Sequence, residues 1–164
     1  MHISDNGINV LKRLEGSVKQ NGRHVVYHDA SGRSVVKKSC FPIGATIGYG
    51  HLIKPYENFS NGITEEQATE LLLQDISVAE KAVRNNVRAP LTQNQFDALV
   101  IFAYNIGTAN FTKSTVIKYI NNPNFHSNNY PNLKSAWLSW NKSRGQKISG
   151  LVNRRNQEWI LFNS

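Results

Sequence analysis

The six residues Thr46–His51, which read Thr-Ile-Gly-Tyr-Gly-His, decide the fold because they place a short extended segment in a chain of mostly helical patterns. Their two glycines allow a ligand or another part of the backbone to approach closely. Upstream, His24–Tyr27 and Ser34–Val36 are typical of strands, and Asp29–Gly32 is typical of a turn. Residues 22–51 therefore predict a small sheet of three strands.

Helical patterns flank this sheet, beginning with the N-terminal residues. The first helix is predicted from about Asp5 to Leu14, with Ser4 or Asp5 as its cap. Gly16 is typical of a helix stop, so Glu15 is expected at the carboxyl end of this helix. The helix dipole is negative there and disfavours an ionised carboxylate.

Helices are also predicted from Thr64 onward. Thr64 and Thr92 each begin a capping box, and a last helix follows Gly150. Asn121–Asn132 is rich in Asn and Pro and is predicted to be a loop. The apolar residues at helical spacing are Ala68, Leu71, Leu72 and Ile76; Phe96, Leu99, Val100 and Ala103; Val116, Ile117 and Ile120; and Leu133, Trp137 and Trp140.

This order of elements predicts an α+β protein with a small antiparallel sheet lobe and a larger helical lobe. We expect a single domain over residues 1–164, with the sheet lobe at about 17–60 and the helical lobe at 64–164. The N-terminal helix, at 5–15, joins them. A cleft between the two lobes is the natural place for a ligand.

The composition limits the partners of the protein. A formal net charge of +8 favours polyanions, so nucleic acid, anionic membrane and anionic cell wall all qualify. No apolar run approaches the length of a membrane span, and the first residues lack the pattern of a secretory signal. The single cysteine, Cys40, excludes an internal disulfide and is expected to be a small, mainly buried residue.

Two carboxylates stand apart from the other acids. Glu15 and Asp29 are the only acidic residues between positions 6 and 56, in a stretch rich in Lys and Arg. Isolated acids of this kind either form structural ion pairs or take part in chemistry. Six further acids are expected to form mostly a solvated face: Glu57, Glu65, Glu66, Glu70, Asp75 and Glu80.

Cleavage of a glycosidic bond would use such a pair. One carboxyl group must be protonated, to give its proton to the leaving oxygen, and the other must be ionised. A helix end and burial would raise the pKa of Glu15, whereas an open turn would leave Asp29 ionised. The residues alone leave two ordinary salt bridges as the alternative.

Several short motifs occur in a fixed order along the chain. They are Leu14-Glu15-Gly16, Tyr27-His28-Asp29 with Gly32, Thr46–His51, Leu91–Leu99, Asn105-Ile106-Gly107 and Gly150–Arg155 with Glu158. Through them the sequence resembles the phage-type, T4-lysozyme-like lysozymes, muramidases used as endolysins, over about residues 5 to 162. The resemblance implies a lysozyme-like fold and cleavage of the β-1,4 bond between N-acetylmuramic acid and N-acetylglucosamine.

The resemblance also implies roles for individual residues. Glu15 would be the general acid, Asp29 would position or activate the attacking water, and Thr46 would help to hold that water, with inversion at the anomeric carbon. Arg154 would pair with the catalytic glutamate, which favours the charged form of Glu15. His51 would be structural and paired with an acid of the helical lobe. Substrate contacts would come from Tyr49, Gly50, Asn105, Gly107 and Arg154. No metal site and no cofactor are implied.

The spacing around Asp29 departs from the family. Asp29 follows Glu15 by fourteen residues and precedes Thr46 by seventeen, and both gaps are longer than in the compact members. The additional residues fall around Lys19–His24 and Arg33–Gly44. Longer hairpins before and after the turn would absorb them without moving the turn. Otherwise Asp29 would be displaced, and only Glu15 would keep its role.

Other activities remain as alternatives. A lytic transglycosylase would cut the same bond with a single acid/base and leave a 1,6-anhydro end. A non-catalytic basic module would bind nucleic acid or cell wall, but no nucleic-acid motif supports it. Direct membrane damage by the basic surface is compatible with a muramidase. The partner expected from the resemblance is the peptidoglycan glycan strand, with no nucleic acid.

The resemblance also predicts where the protein acts. We expect a monomer made in the bacterial host cytoplasm without a signal peptide. A holin-like pore protein would then release it to the cell wall, in the periplasm or outside the cell.

Overall fold

The computed structural model of the protein describes residues 1–28, 33–34 and 44–164. Residues 12–75 pack as one compact unit, and residues 1–11 and 76–164 pack as another. Small antiparallel sheets and a larger helical part make up the fold, which confirms the prediction of an α+β protein. No helix in the described ranges is both long and apolar enough to span a membrane.

The smaller unit contains a hairpin and a four-stranded sheet. Strands β1 (Lys19–Gln20) and β2 (Arg23–His24) form the hairpin. Among the described residues the sheet has the antiparallel order β4-β3-β5-β6, with four strands where three were predicted. Its members are β3 (Tyr27–His28), β4 (Arg33–Ser34), β5 (Ala45–Ile47) and β6 (His51–Leu52).

The additional strand arises from the turn inside Thr46–His51. Gly48 and Gly50 have positive φ values of 62° and 89°, which favour glycine, so the chain reverses between β5 and β6. A predicted single strand is therefore a tight hairpin, with Thr46 opposite Leu52 and Ile47 opposite His51.

A compact apolar cluster supports this sheet. Val26, Ala45, Ile47, Ile63 and Ala68 are buried together, with partly buried apolar side chains packed around them. A β-carbon at Gly48 would come 3.2 Å from the β-carbon of Ala68, so the turn lies directly on helix α2 (Glu65–Asn86). Burial of this cluster fixes the backbone that carries Thr46 and Gly50.

The larger unit is helical apart from one hairpin. The predicted helices are confirmed, whereas α4 and the β7–β8 hairpin were not predicted. The elements are α3 (Gln93–Ile106), α4 (Thr108–Lys113), α5 (Thr115–Asn121), α6 (Leu133–Leu138), β7 (Lys142–Ser143), β8 (Gln146–Lys147) and α7 (Ser149–Phe162), together with residues 5–11 of α1 (Asp5–Glu15) and residues 76–86 of α2.

Helix α3 lies at the centre of this unit. Thr92 and Gln95 form the predicted capping box at its start, and every residue from Phe96 to Ala103 is buried. Burial on every side, which here includes Asp97, is typical of a helix surrounded by others. Trp137 of α6 packs against Phe102 with ring centroids 4.6 Å apart.

The acids between residues 57 and 80 contradict the expectation of a mostly solvated face. The buried Glu80 accepts a hydrogen bond of 2.7 Å from the backbone nitrogen of Ile3 and one of 3.2 Å from Arg84. Glu65, Asp75 and Glu57 are also ion-paired. The prediction was wrong because several of their partners, such as Lys12 and His51, lie on other elements, where helical spacing does not reveal them.

Candidate active site

Glu15 is the last residue of α1. The helix ends as predicted, since Gly16 has a φ of 65° and donates its N–H to the carbonyl of Lys12 at 3.0 Å. A β-carbon built on Gly50 would stand 3.5 Å from Oε2 of Glu15. The carboxylate therefore lies beside the β5–β6 turn, half-buried, and not free in solvent.

Thr46 lies in β5 and is buried. Its register partner is Tyr27, and its hydroxyl donates a hydrogen bond of 3.2 Å to the Tyr27 carbonyl. Because the hydroxyl proton is used, the lone pairs of Oγ1 remain to accept a hydrogen bond, for example from water. His28, the residue before Asp29, pairs with Ala45. Asp29 itself lies outside the described residues, and its role stays a prediction.

Tyr49 is held by a carboxylate on α2. Its hydroxyl donates a hydrogen bond of 2.6 Å to Oε1 of Glu65. The ammonium of Lys12 lies 5.2 Å from the centre of the Tyr49 ring, and the His24 ring meets it edge-on at 5.1 Å. These contacts therefore restrict the orientation of the Tyr49 ring, which lies next to Gly50.

Glu65 is the centre of this cluster. It accepts from Lys12 at 3.0 Å, Lys19 at 2.9 Å and His24 at 2.8 Å, in addition to Tyr49. Partial burial raises the pKa of the Glu65 carboxyl, but these donors outweigh it and hold that pKa far below its ordinary value. Burial and the same carboxylate raise the pKa of Tyr49, so its hydroxyl stays protonated.

His51 lies between two carboxylates. Its Nδ1 is 2.9 Å from Oδ2 of Asp75, and its Nε2 is 3.0 Å from Oε2 of Glu57. The hydrogen bond to Asp75 raises the pKa of His51, burial opposes it, and Glu57 adds to the rise. Because both ring nitrogens are occupied in this way, the imidazole is held in place.

Asn105 and Gly107 lie at the carboxyl end of α3, in the larger unit. Gly107 has a φ of 85° and caps the helix by donating its N–H to the Ala103 carbonyl. The exposed Asn105 accepts a hydrogen bond through Oδ1 from Nη2 of Arg155. Arg155, which sequence reasoning did not single out, thus contacts a predicted substrate-binding residue.

Arg154 is part of a buried charge cluster on α7. Its Nε lies 3.2 Å from Oε1 of Glu158, and Nη2 of Arg155 lies 3.0 Å from the same oxygen. Trp137 donates from Nε1 to Oε2 of Glu158 at 3.1 Å. Burial raises the pKa of Glu158 and lowers that of Arg155 to about 10, because both groups are cut off from water.

The described residues bring Glu15, Thr46, Tyr49, Gly50 and His51 together within residues 12–75. Asn105, Gly107 and Arg154 belong to the other unit. In the part of the chain that the structure describes, no group of three His, Cys, Asp or Glu side chains could hold a metal ion.

Comparison with known proteins gives the family. A sequence profile for phage lysozyme matches residues 21–158, which is most of the chain. The chain belongs to the phage lysozyme family. The resemblance that the motifs indicated is confirmed.

Individual relatives align with this phage lysozyme over nearly its full length. The endolysin of Salmonella phage P22 is 39% identical over 99% of this chain and 98% of its own. The endolysin of Bacillus phage B103 is 37% identical over 99% of this chain but 54% of its own, so the chain spans about half the length of that relative. The solved muramidase domain of SpmX from Asticaccaulis excentricus has a TM-score of 0.74 at 32% identity, covering 100% of this chain and 99% of that one.

Sequence reasoning missed Glu65 and Arg155 in this phage lysozyme. A signal for Glu65 was present, since Glu15 and Asp29 are the only acids between positions 6 and 56, and Lys12 and Lys19 therefore need a carboxylate from elsewhere in the sequence. The sequence did not single out Arg155, because the motif on α7 contains two adjacent arginines. The structure shows that Arg155 is the one that contacts Asn105.

Proposed function

We propose that the protein is a peptidoglycan hydrolase that cleaves the β-1,4 bond between N-acetylmuramic acid and N-acetylglucosamine. The observation that carries this proposal is the position of Glu15, whose carboxylate lies beside Gly50 in the turn of the Thr46–His51 motif. Membership of the phage lysozyme family supports it. A carboxylate against a glycine backbone leaves room for a sugar to approach.

In the proposed reaction Glu15 acts in its protonated form. It gives its proton to the glycosidic oxygen as the bond from that oxygen to the anomeric carbon breaks. A water molecule attacks the opposite face of the sugar and loses a proton to the carboxylate of Asp29. The two carboxyl groups then exchange a proton with solvent, which restores the starting state.

Thr46 has the hydrogen-bonding capacity for its proposed role. Its hydroxyl proton is directed to the Tyr27 carbonyl, so only lone pairs are left for another partner. A water that donates to Thr46 and to Asp29 would present its own lone pair to the anomeric carbon. Inversion follows if that water, rather than a carboxylate, attacks.

The proposed contacts of the glycan follow from the resemblance to phage lysozymes. They are Tyr49, Gly50, Asn105, Gly107 and Arg154. His51 would serve the structure, through Asp75 and Glu57, and not the reaction.

The proposal extends to how the protein reaches its substrate. We propose that it acts as a monomer on the cell wall, in the periplasm or outside the cell, after release by a holin-like pore protein. The relatives called endolysins support this setting. A basic surface would assist the approach to an anionic wall.

The products of digestion test the reaction. Purified peptidoglycan is treated with the protein, and the soluble fragments are analysed by mass spectrometry. We expect reducing N-acetylmuramic acid ends, and proton NMR of the first products should show the α-anomer. Exclusively 1,6-anhydro ends would establish a lytic transglycosylase instead. No fragments at all would contradict the proposed hydrolase.

The variant Asp29→Asn tests the second carboxylate. We expect the rate of fragment release to fall by about 10²-fold or more, the scale of general acid–base catalysis. Unchanged release by this variant would show that the long segments around Asp29 have moved the base elsewhere. Its melting temperature serves as the control for folding.

A further inference from the structure

We infer that Arg155 is a positioning residue that orients the side-chain amide of Asn105, so that Asn105 turns its N–H donors outward and selects an amide carbonyl of the substrate. This inference rests on the proposed function, because it concerns how the proposed hydrolase recognises peptidoglycan. Its physical basis lies entirely within residues 76–164.

Arg155 is immobilised by the residues around it. Its side chain is fully buried, and Nη2 lies 3.0 Å from Oε1 of Glu158. The guanidinium carbon lies 5.0 Å from the centre of the Phe102 ring. Glu158 is fully buried as well and is fixed by Trp137 and Arg154. The planar group therefore points its Nη2 in one direction only.

This direction determines the orientation of Asn105. A guanidinium has donors and no acceptor, so it is the oxygen of the Asn105 amide that faces Nη2. Rotation of the amide by half a turn would set one donor against another and leave a buried charge without that partner. The Asn105 Nδ2 group therefore faces away from Arg155, and none of the described residues accepts a hydrogen bond from it.

The orientation of the Asn105 amide determines which group of a ligand it can bind. A free Asn side chain both donates and accepts, but here the oxygen is turned towards the buried Arg155, which occupies one of its two lone pairs. Asn105 is exposed and offers N–H groups to an approaching molecule. It should select a carbonyl oxygen and disfavour an ammonium group. Peptidoglycan carries amide carbonyls in the acetamido groups of its sugars and in its stem peptides.

The substitution Asn105→Asp separates recognition from structure. An aspartate keeps the shape of the side chain and pairs with Arg155, so the melting temperature should stay equal or rise. It presents an anionic acceptor in place of donors, so affinity should fall by about tenfold, the scale of one lost hydrogen bond. Asn128→Asp is the matched control, because Asn128 is exposed and lies in the loop before α6.

Affinity is measured without turnover, by co-sedimentation with purified sacculi in the Glu15→Gln background. If Asn105→Asp binds within about twofold of its parent, the inference is overturned. If the wild type releases no fragments although this affinity difference is present, the proposed hydrolase fails and the inference about Asn105 stands. The two failures are thus distinguishable.

Three forms of sacculi identify the carbonyl. One is intact, one has lost its stem peptides, and one has lost its acetyl groups. A loss of affinity by Asn105→Asp that persists without stem peptides assigns the acetamido carbonyl. A loss that requires the peptides assigns a peptide carbonyl. Either result supports selection of an amide carbonyl, and no loss on any form overturns it.

The substitution Arg155→Lys tests the positioning role. Lysine keeps a positive charge near Glu158 but gives up the planar fork that fixes the Asn105 amide. We expect the ratio of affinities for sacculi with and without the group that carries the assigned carbonyl to fall towards one. A variant whose melting temperature falls while this ratio is unchanged would show that Arg155 is merely structural.

Discussion

The carboxylate of Glu15 lies beside Gly50, at whose position a β-carbon would stand 3.5 Å from Oε2. That distance is an ordinary van der Waals contact, so a methyl group would fit. The φ of Gly50, 89°, is the feature that a larger residue does not tolerate. The turn that carries this glycine therefore defines the surroundings of the proposed general acid.

Replacement of Gly50 by alanine should reduce both stability and activity. The strained backbone conformation costs roughly 1–3 kcal/mol, and relief of that strain would move the turn against which Glu15 lies. The melting temperature and the rate on peptidoglycan are measured together. Gly145→Ala is the control, because Gly145 has a φ of 79° and no atom within 4 Å of its β-position. Equal activities of the two variants at equal folded concentration would contradict a special role for Gly50.

Glu65 should stabilise the protein most above acidic pH. Its pKa is lowered in the folded state, so its contribution is fully present above its ordinary pKa of 4.5 and is lost as the pH falls below it. The variant Glu65→Gln should therefore melt at a lower temperature than wild type at pH 7, and the gap should narrow between about pH 4.5 and pH 2.

The control for this prediction is Glu70→Gln, which removes an exposed acid of the same helix. Its melting curve should follow that of wild type at every pH. A gap for Glu65→Gln that does not depend on pH would show that the carboxylate charge is unimportant. The variant Glu65→Gln should also raise the KM for peptidoglycan, because the Tyr49 hydroxyl then donates to a neutral amide oxygen in place of a carboxylate and is held less firmly.

The stabilising contribution of His51 should change with pH in the opposite direction to that of Glu65. Its pKa is raised in the folded state, so its contribution is fully present below its ordinary pKa of 6.5 and is lost as the pH rises through the folded value. The variant His51→Gln should lose more melting temperature at about pH 6 than at about pH 9. The exposed His126, replaced in the same way, is the control. A larger loss at the alkaline pH would contradict the ion pairs with Asp75 and Glu57.

Much of the fold follows from local patterns in the sequence. The capping boxes at Thr64 and Thr92 mark two helix starts because their hydrogen bonds involve residues only three apart. The buried face of α3 follows from apolar spacing. The break inside Thr46–His51 was missed because strand propensity does not reveal that the chain reverses direction at Gly48 and Gly50. Helix α4 is too short to show a period.

The site was harder to predict because its contacts join distant residues. Glu15 was found from its scarcity and its helix end, both of which are local features. Glu65 meets Lys12, Lys19 and His24 across 41 or more positions of sequence, and Arg155 meets Asn105 across 50. No spacing rule covers such pairs, which depend on tertiary packing. The prediction for Asp29 stays a prediction.

The most direct measurement of the central claim is the rate at which purified peptidoglycan loses turbidity with wild type, Glu15→Gln and Glu70→Gln. Glutamine keeps the size of the side chain but has no proton of suitable acidity to give. We expect a fall of about 10²-fold or more for Glu15→Gln, at an unchanged rate for Glu70→Gln. Full activity of a folded Glu15→Gln variant would contradict the account.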